Sequence, residues 1–184
     1  MQSSHTFTVD SAVFDERNLV SAAGLVPVLE LAEQTGLSEL IGEHVQLPST
    51  RVRSGAVNPA GKLTSIIAGM VCGADCIDDV NVLRAGGTPR VFEEVYAPST
   101  LGIFLREFTF GHANQLAAVH RQHLVALAQR VPLLAGIEQR AFLDIDSLLR
   151  PVYGHAKQGA SFGHTKIAGK TVLRRGLSLS LIHI

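Results

Sequence analysis

Residues 140–163 read RAFLDIDSLLRPVYGHAKQGASFG, and the order of their chemistry decides how the chain is divided. A short apolar run ends in two aspartates, Asp144 and Asp146. Strand side chains alternate between faces, so Ala141, Leu143 and Ile145 point one way and Phe142, Asp144 and Asp146 the other. Two carboxylates on one face repel each other unless a proton or cation lies between them, and an oxygen-rich pair suits a hard ion such as Mg²⁺. The plainer reading is a solvated strand end.

The residues that follow are glycine-rich and basic: Gly154, His155, Lys157, Gly159, Gly163, His164, Lys166, Gly169, Lys170, Arg174 and Arg175. No Asp or Glu occurs after Asp146. The whole chain balances 16 Lys and Arg against 16 Asp and Glu, so total charge predicts no polyanion partner. Local charge does. Lysines and arginines hold phosphates, while carboxylates can hold a metal that acts on them. A solvated loop with ordinary surface lysines is the alternative.

This segment resembles the first-aspartate region of DDE transposases of bacterial insertion sequences, in the subgroup whose motif is an apolar strand, D-x-D-S and then G-x-x-K-x-G-A-x-x-G. The matching residues are Phe142-Leu143-Asp144-Ile145-Asp146-Ser147, then Gly154, Lys157, Gly159, Ala160 and Gly163. Upstream, Asn58-Pro59, Gly73 to Asp79 with Leu83-Arg84, and Ser99 to Gly102 with Phe104-Leu105-Arg106 are also similar to that group. The likeness runs to about Leu177. Leu148 stands where many relatives carry Thr.

The resemblance implies an RNase H-like catalytic domain in which three carboxylates bind two Mg²⁺ (or Mn²⁺) ions for DNA cleavage and strand transfer at transposon ends. Asp146 aligns with the first catalytic carboxylate, and Asp144 and Asp146 are the metal ligands present. The second Asp and the Glu of the family lie further downstream than this chain extends. It is therefore read as the N-terminal portion of a longer, homodimeric protein whose partner is double-stranded DNA, both terminal inverted repeats and target. Lys157, Lys166, Lys170, Arg174 and Arg175, with Arg51 and Arg53 from an earlier loop, are the candidate DNA contacts.

The expected fold is a mainly α N-terminal region, 1–131, followed by the first strands of a truncated α/β RNase H-like domain, 132–178. Residues 179–184 read as an adapter-derived tail and are left out of the fold expectation. Two other functions share some of these features. A haloacid dehalogenase-type phosphohydrolase also opens with an apolar strand and D-x-D, but Leu148 occupies a position that wants Thr or Val, and about 140 residues precede the motif here. A non-catalytic helical DNA-binding protein is the third.

Hydrophobic residues make up 46% of 184, enough for a sizeable core. The apolar run around Leu63 to Cys72 is too short and broken to span a bilayer. The two cysteines, Cys72 and Cys76, read as buried free thiols, a reducing cytoplasm is the default, and the resemblance implies a bacterial, nucleoid-associated one.

Helical signals fill the first part of the chain. Pro27 suits the first turn of a helix bearing Val28, Leu29, Leu31 and Ala32, which Gly36 ends. Ser38 is placed as cap of a second helix with Leu40, Ile41 and Val45. The pair is similar to a helix-turn-helix, and the resemblance implies an N-terminal region that binds transposon ends; but the second helix carries Glu39, Glu43 and His44 and no Lys or Arg, so a packing hairpin is favoured over a DNA-reading one. Asn58-Pro59 starts a third helix with a core stripe of Leu63, Ile66, Ile67, Met70 and Val71. Asp75, Asp78 and Asp79 read as a solvated or Arg84-paired face. Gly86 to Pro89 marks a hinge or loop. Ser99 or Thr100 caps a helix with Leu101, Phe104, Leu105 and Phe108. A long helix runs from near His112 to Arg130, with Leu116, Val119, His123, Leu124 and Leu127 on one side and Pro132 closing it. After the aspartate strand, Pro151-Val152-Tyr153 is expected as a second strand and Gly154 to Gly163 as a hairpin loop.

Overall fold

The computed structural model describes residues 16–48, 55–92, 95–133, 135–140, 142 and 144–183; of residues 144–148 and 179–183 it describes the backbone. It is a helical region followed by a three-stranded antiparallel sheet.

Helix α1 (Leu25–Gln34) holds Pro27 in its first turn. It ends where Gly36 takes the left-handed conformation, φ 79°, which glycine adopts without a Cβ penalty. The same glycine precedes helix α2 (Leu37–His44), so Ser38 is not its cap. The Ser38 hydroxyl instead donates to Glu33 Oε2 at 2.6 Å. Helix α3 (Pro59–Val71) has the cap expected of it, Asn58 Oδ1 accepting from the Gly61 amide at 3.1 Å. Leu63 is buried and Ile66 and Ile67 pack inward, but Met70 and Val71 stand in solvent, because the chain leaves the core at the helix's C-terminal turn.

The next segment is a 3₁₀ helix, Ile77–Arg84, and not a continuation of α3. Asp79 accepts from the amides of Cys76 and Asp75 at 2.9 and 3.1 Å, so it caps this turn. Hydrogen bonds from Cys76 and Asp75 hold its carboxyl below the ordinary aspartate range. Arg84 donates to Asn81 at 3.3 Å. Cys72 is half-buried and Cys76 exposed, both free thiols, which corrects the expectation that both are buried. The Gly86 to Pro89 stretch becomes a tight turn leading into the short 3₁₀ segment Thr88–Arg90, with the Gly87 amide donating to Leu19 O.

Pro98 opens helix α4 (Pro98–Leu105) directly after Ala97, so neither Ser99 nor Thr100 is its cap. Helix α5 (Phe110–Arg130) starts two residues ahead of His112, where the His112 imidazole accepts from the Thr109 amide. Two apolar clusters result. One gathers Ala22, Leu25, Ala68, Val80, Leu83 and Leu101; the other gathers Leu37, Ile41, Val45, Leu63, Phe104 and Val119. Ile66 of α3 touches both. The Thr35 hydroxyl, which donates to Leu31 O at 2.8 Å, lies 2.8 Å from His123 Nε2. With its proton committed, the hydroxyl accepts from the imidazole, tying the end of α1 to α5.

Strand β1 (Asp144–Pro151) pairs with β3 (Lys170–His183), which also pairs with β2 (Ser161–Ile167), in the order β1-β3-β2. Pro151 therefore ends β1, and the second strand lies at 161–167 instead of 151–153. The residues between, expected as a loop, form one only as far as Ala160; Gly163 is inside β2. β3 does not stop at Ser178 but runs on to His183, opposite Asp144.

Two measurements follow. Phe104 is fully buried against Leu63 and Val119, so Phe104→Ala should cost about 3–5 kcal/mol in urea unfolding, whereas Met70→Ala, at an exposed site, should cost under about 0.5. Lys62 is buried, its ammonium donating to Gly55 O at 2.7 Å and to Val57 O, and burial pushes its pKa below the usual lysine value. The unfolded chain then holds a proton that the native chain gives up between that lowered pKa and about 10.4, so stability should rise with pH through that window. In Lys62→Met this component of the rise should vanish, measured as unfolding midpoint against pH.

Candidate nucleic-acid interface and acidic strand

Asp144 and Asp146 occupy alternate positions of β1, paired with His183 and Leu181. Their side chains lie outside the description, as do Arg51 and Arg53 altogether. Among the described residues no three His, Cys, Asp or Glu side chains come together as a metal cage. The acids at 75, 78 and 79 are accounted for by capping and solvent.

The basic residues are arranged around β3. β1 covers the C-terminal half of that strand, from Gly176 onward, and β2 covers the N-terminal half, from Lys170 to Gly176. Cations and carboxylates thus sit toward opposite ends of one long strand. From Leu181, opposite Asp146, to Arg175 is roughly 20 Å along the strand, and to Lys170 roughly 37 Å, at about 3.4 Å per residue. The adjacency that the linear sequence suggests is a separation in the fold.

Lys157, Lys166, Lys170 and Arg174 are exposed. Arg175 is different. Its guanidinium donates to three carbonyls of the loop after β1: Gly154 O at 2.5 Å, His155 O at 3.2 Å and Lys157 O at 3.1 Å. A fork of fixed donors is used here to hold backbone, which leaves it poorly placed to hold a phosphate as well. Arg175 is a loop-positioning residue, a role that charge counting did not find.

That loop reaches the helical region. Gln158 Oε1 accepts from the Phe110 amide at 3.2 Å, at the start of α5. Gly159 follows at φ 73°, and a Cβ there would lie 2.7 Å from the Phe110 ring, so both backbone and space exclude a larger residue. Arg175 and Gly159 together set where Lys157 is presented and how the sheet meets α5.

No family model, curated protein or solved structure matches the chain. No helix among the described residues is long and apolar enough to cross a membrane.

Arg175→Gln should free the loop. Losing charge-assisted hydrogen bonds, each worth about 1.5 kcal/mol or more, should speed tryptic cleavage after Lys157 by roughly tenfold. The thermal midpoint of the helical region should move little. Unchanged cleavage would remove the positioning role.

Proposed function

We propose that this chain is the N-terminal part of a DDE transposase, a metal-dependent enzyme that cleaves and joins DNA at the ends of an insertion sequence. The observation that carries the reading is β1: the first strand after the helical region bears Asp144 and Asp146 at alternate positions, in a D-x-D-S motif. The acid-free, cation-rich strands that share its sheet support it.

The donor set fits a hard divalent ion. Mg²⁺ takes one or two carboxylates with several waters, and two carboxylates from one strand supply that much and no more. Asp146 and Asp144 would hold the metal, and a bound Mg²⁺ would polarise a phosphoryl oxygen and orient an attacking hydroxyl. The remaining acids of an RNase H-like domain would come from sequence beyond this chain. Lys157, Lys170 and Arg174 would neutralise DNA phosphates at a distance from the acidic strand end, and Lys166 would contact the same duplex, with double-stranded DNA as partner and a homodimer as the working form.

A haloacid dehalogenase-type reading gains nothing from the fold, since Leu148 still stands where that motif needs Thr or Val.

The test is cleavage of DNA carrying the terminal repeats by the longer gene product. Asp146→Asn should lower metal-dependent cleavage by a factor of about 10³ or more and leave end binding within about twofold, since a metal ligand acts on chemistry and not on groove contacts. Cleavage at the unmodified rate would reject the assignment of Asp146.

A further inference from the structure

Beyond the end of β1, β2 and the first half of β3 continue as a two-stranded ribbon, 161–176. It closes through Ala168 and Gly169, both at positive φ (49° and 77°), the tight turn whose twist matches a hairpin. Among the described residues no helix packs along β2 or the N-terminal half of β3. The ribbon contains Lys166, Lys170, Arg174 and Arg175 and no acid.

Its two faces differ. Cross-strand partners share a face, so Phe162 and Arg175, His164 and Leu173, and Lys166 and Thr171 lie on one side. Arg175 is half-buried and held by the loop after β1, and the other five are exposed, Phe162 at 69% and Leu173 at 58%. On the opposite face Gly163, Thr165 and Val172 are half-covered, with Leu149 of β1 against Gly163, while Ile167, Lys170 and Arg174 are exposed. A face with two exposed apolar side chains, a cation and a hydroxyl carries the group types that read base edges.

We propose that the ribbon 161–176 inserts into the major groove of B-form DNA with the Phe162–His164–Lys166–Thr171–Leu173 face toward the base edges. Strands about 4.8 Å apart with side chains fit a groove about 12 Å wide and 8.5 Å deep, which admits a two-stranded ribbon. Lys166 meets guanine O6 and N7, Thr171 offers a hydroxyl, and Phe162 and Leu173 pack on thymine methyl groups, contacts that only the major groove presents. Lys170 and Arg174, on the other face, reach the phosphates of the groove walls. This rests on the reading of the chain as a DNA-handling protein, and it assigns to the sheet a sequence-reading role separate from cleavage.

The experiment uses the full 184-residue chain, a mixed-sequence DNA duplex, the same sequence as duplex RNA, and the DNA methylated at guanine N7. RNA has a deep, narrow major groove that a ribbon cannot enter. Binding by anisotropy should be at least roughly tenfold tighter for DNA than for RNA, fall on N7 methylation, and resist distamycin in the minor groove. Lys166→Ala should abolish the sensitivity to N7 methylation, with Lys166→Arg restoring it, while Lys170→Ala should only reduce the salt slope by about 0.9. Equal affinity for RNA and DNA, indifference to N7 methylation, or unaltered behaviour of Lys166→Ala overturns the ribbon. Those outcomes leave the transposase reading standing, because that reading is judged by cleavage in the longer protein. Conversely, groove binding that passes every test in a protein whose longer form never cuts DNA keeps the ribbon and discards the enzyme.

Discussion

Helix α3 must be buried along most of its length, and it carries a lysine. Leu63 and Ala68 belong to different apolar clusters and Ile66 joins them, so α1, α2, α4, α5 and the 3₁₀ helix at 77–84 are assembled around this one element. An ammonium in that position needs donors' partners close by, since an unpaired buried charge costs several kcal/mol. Gly55 O and Val57 O supply them, with the rings of Tyr96 and Phe104 5.4 and 5.6 Å from Lys62 Nζ. The chain entering α3 is thereby bent back on its own helix. Asn58 fixes the same bend twice, capping Gly61 and donating to the Tyr96 hydroxyl at 2.8 Å.

The sheet is organised on a different principle. Among the described residues no helix lies along it; its order comes from β3, which serves two short partners in turn, and from one arginine. Because β1 and β2 meet near Gly176 on opposite sides of β3, the strand has an acidic reach and a basic reach with a crossing point between them. Arg175 stands at that crossing and ties down the loop that leaves β1. A charge that a sequence count assigns to DNA is used to set the geometry of the charges that remain.

Much of the helical region was legible because its signals are local. Asn58-Pro59, Pro27 and Gly36 act through φ values and backbone donors within a few residues, and their effects appear where the spacing put them. Ser38, Ser99 and Thr100 misled for a physical reason: a hydroxyl near a helix start is a cap only if the backbone turns there, and Gly36 and Pro98 decided otherwise. The stripe on α3 failed at Met70 and Val71 because periodicity says which face is apolar and not how far the core extends. In the sheet, alternation placed Asp144 and Asp146 on one strand, but nothing local told that β3 would lie between β1 and β2. The turn at Ala168-Gly169 has positive φ at both positions, a region alanine does not favour, so only one glycine signalled the hairpin. The role of Arg175 was not readable at all, since its three acceptors are backbone carbonyls some twenty residues away.

The separation of acids and cations bears on how such a sheet could engage DNA. If the carboxylates and the basic ribbon touched one phosphate, they would have to lie within a few ångströms, and the register places them roughly 20 to 37 Å apart along β3. One turn of B-DNA advances about 34 Å. A duplex laid along the strand would therefore meet the ribbon about a helical turn from the acidic end, in the next exposure of the same groove. If the chain handles DNA as proposed, reading and cutting would be divided between the two halves of a single strand, and β3 would set the spacing between a recognised base and the phosphate to be cut.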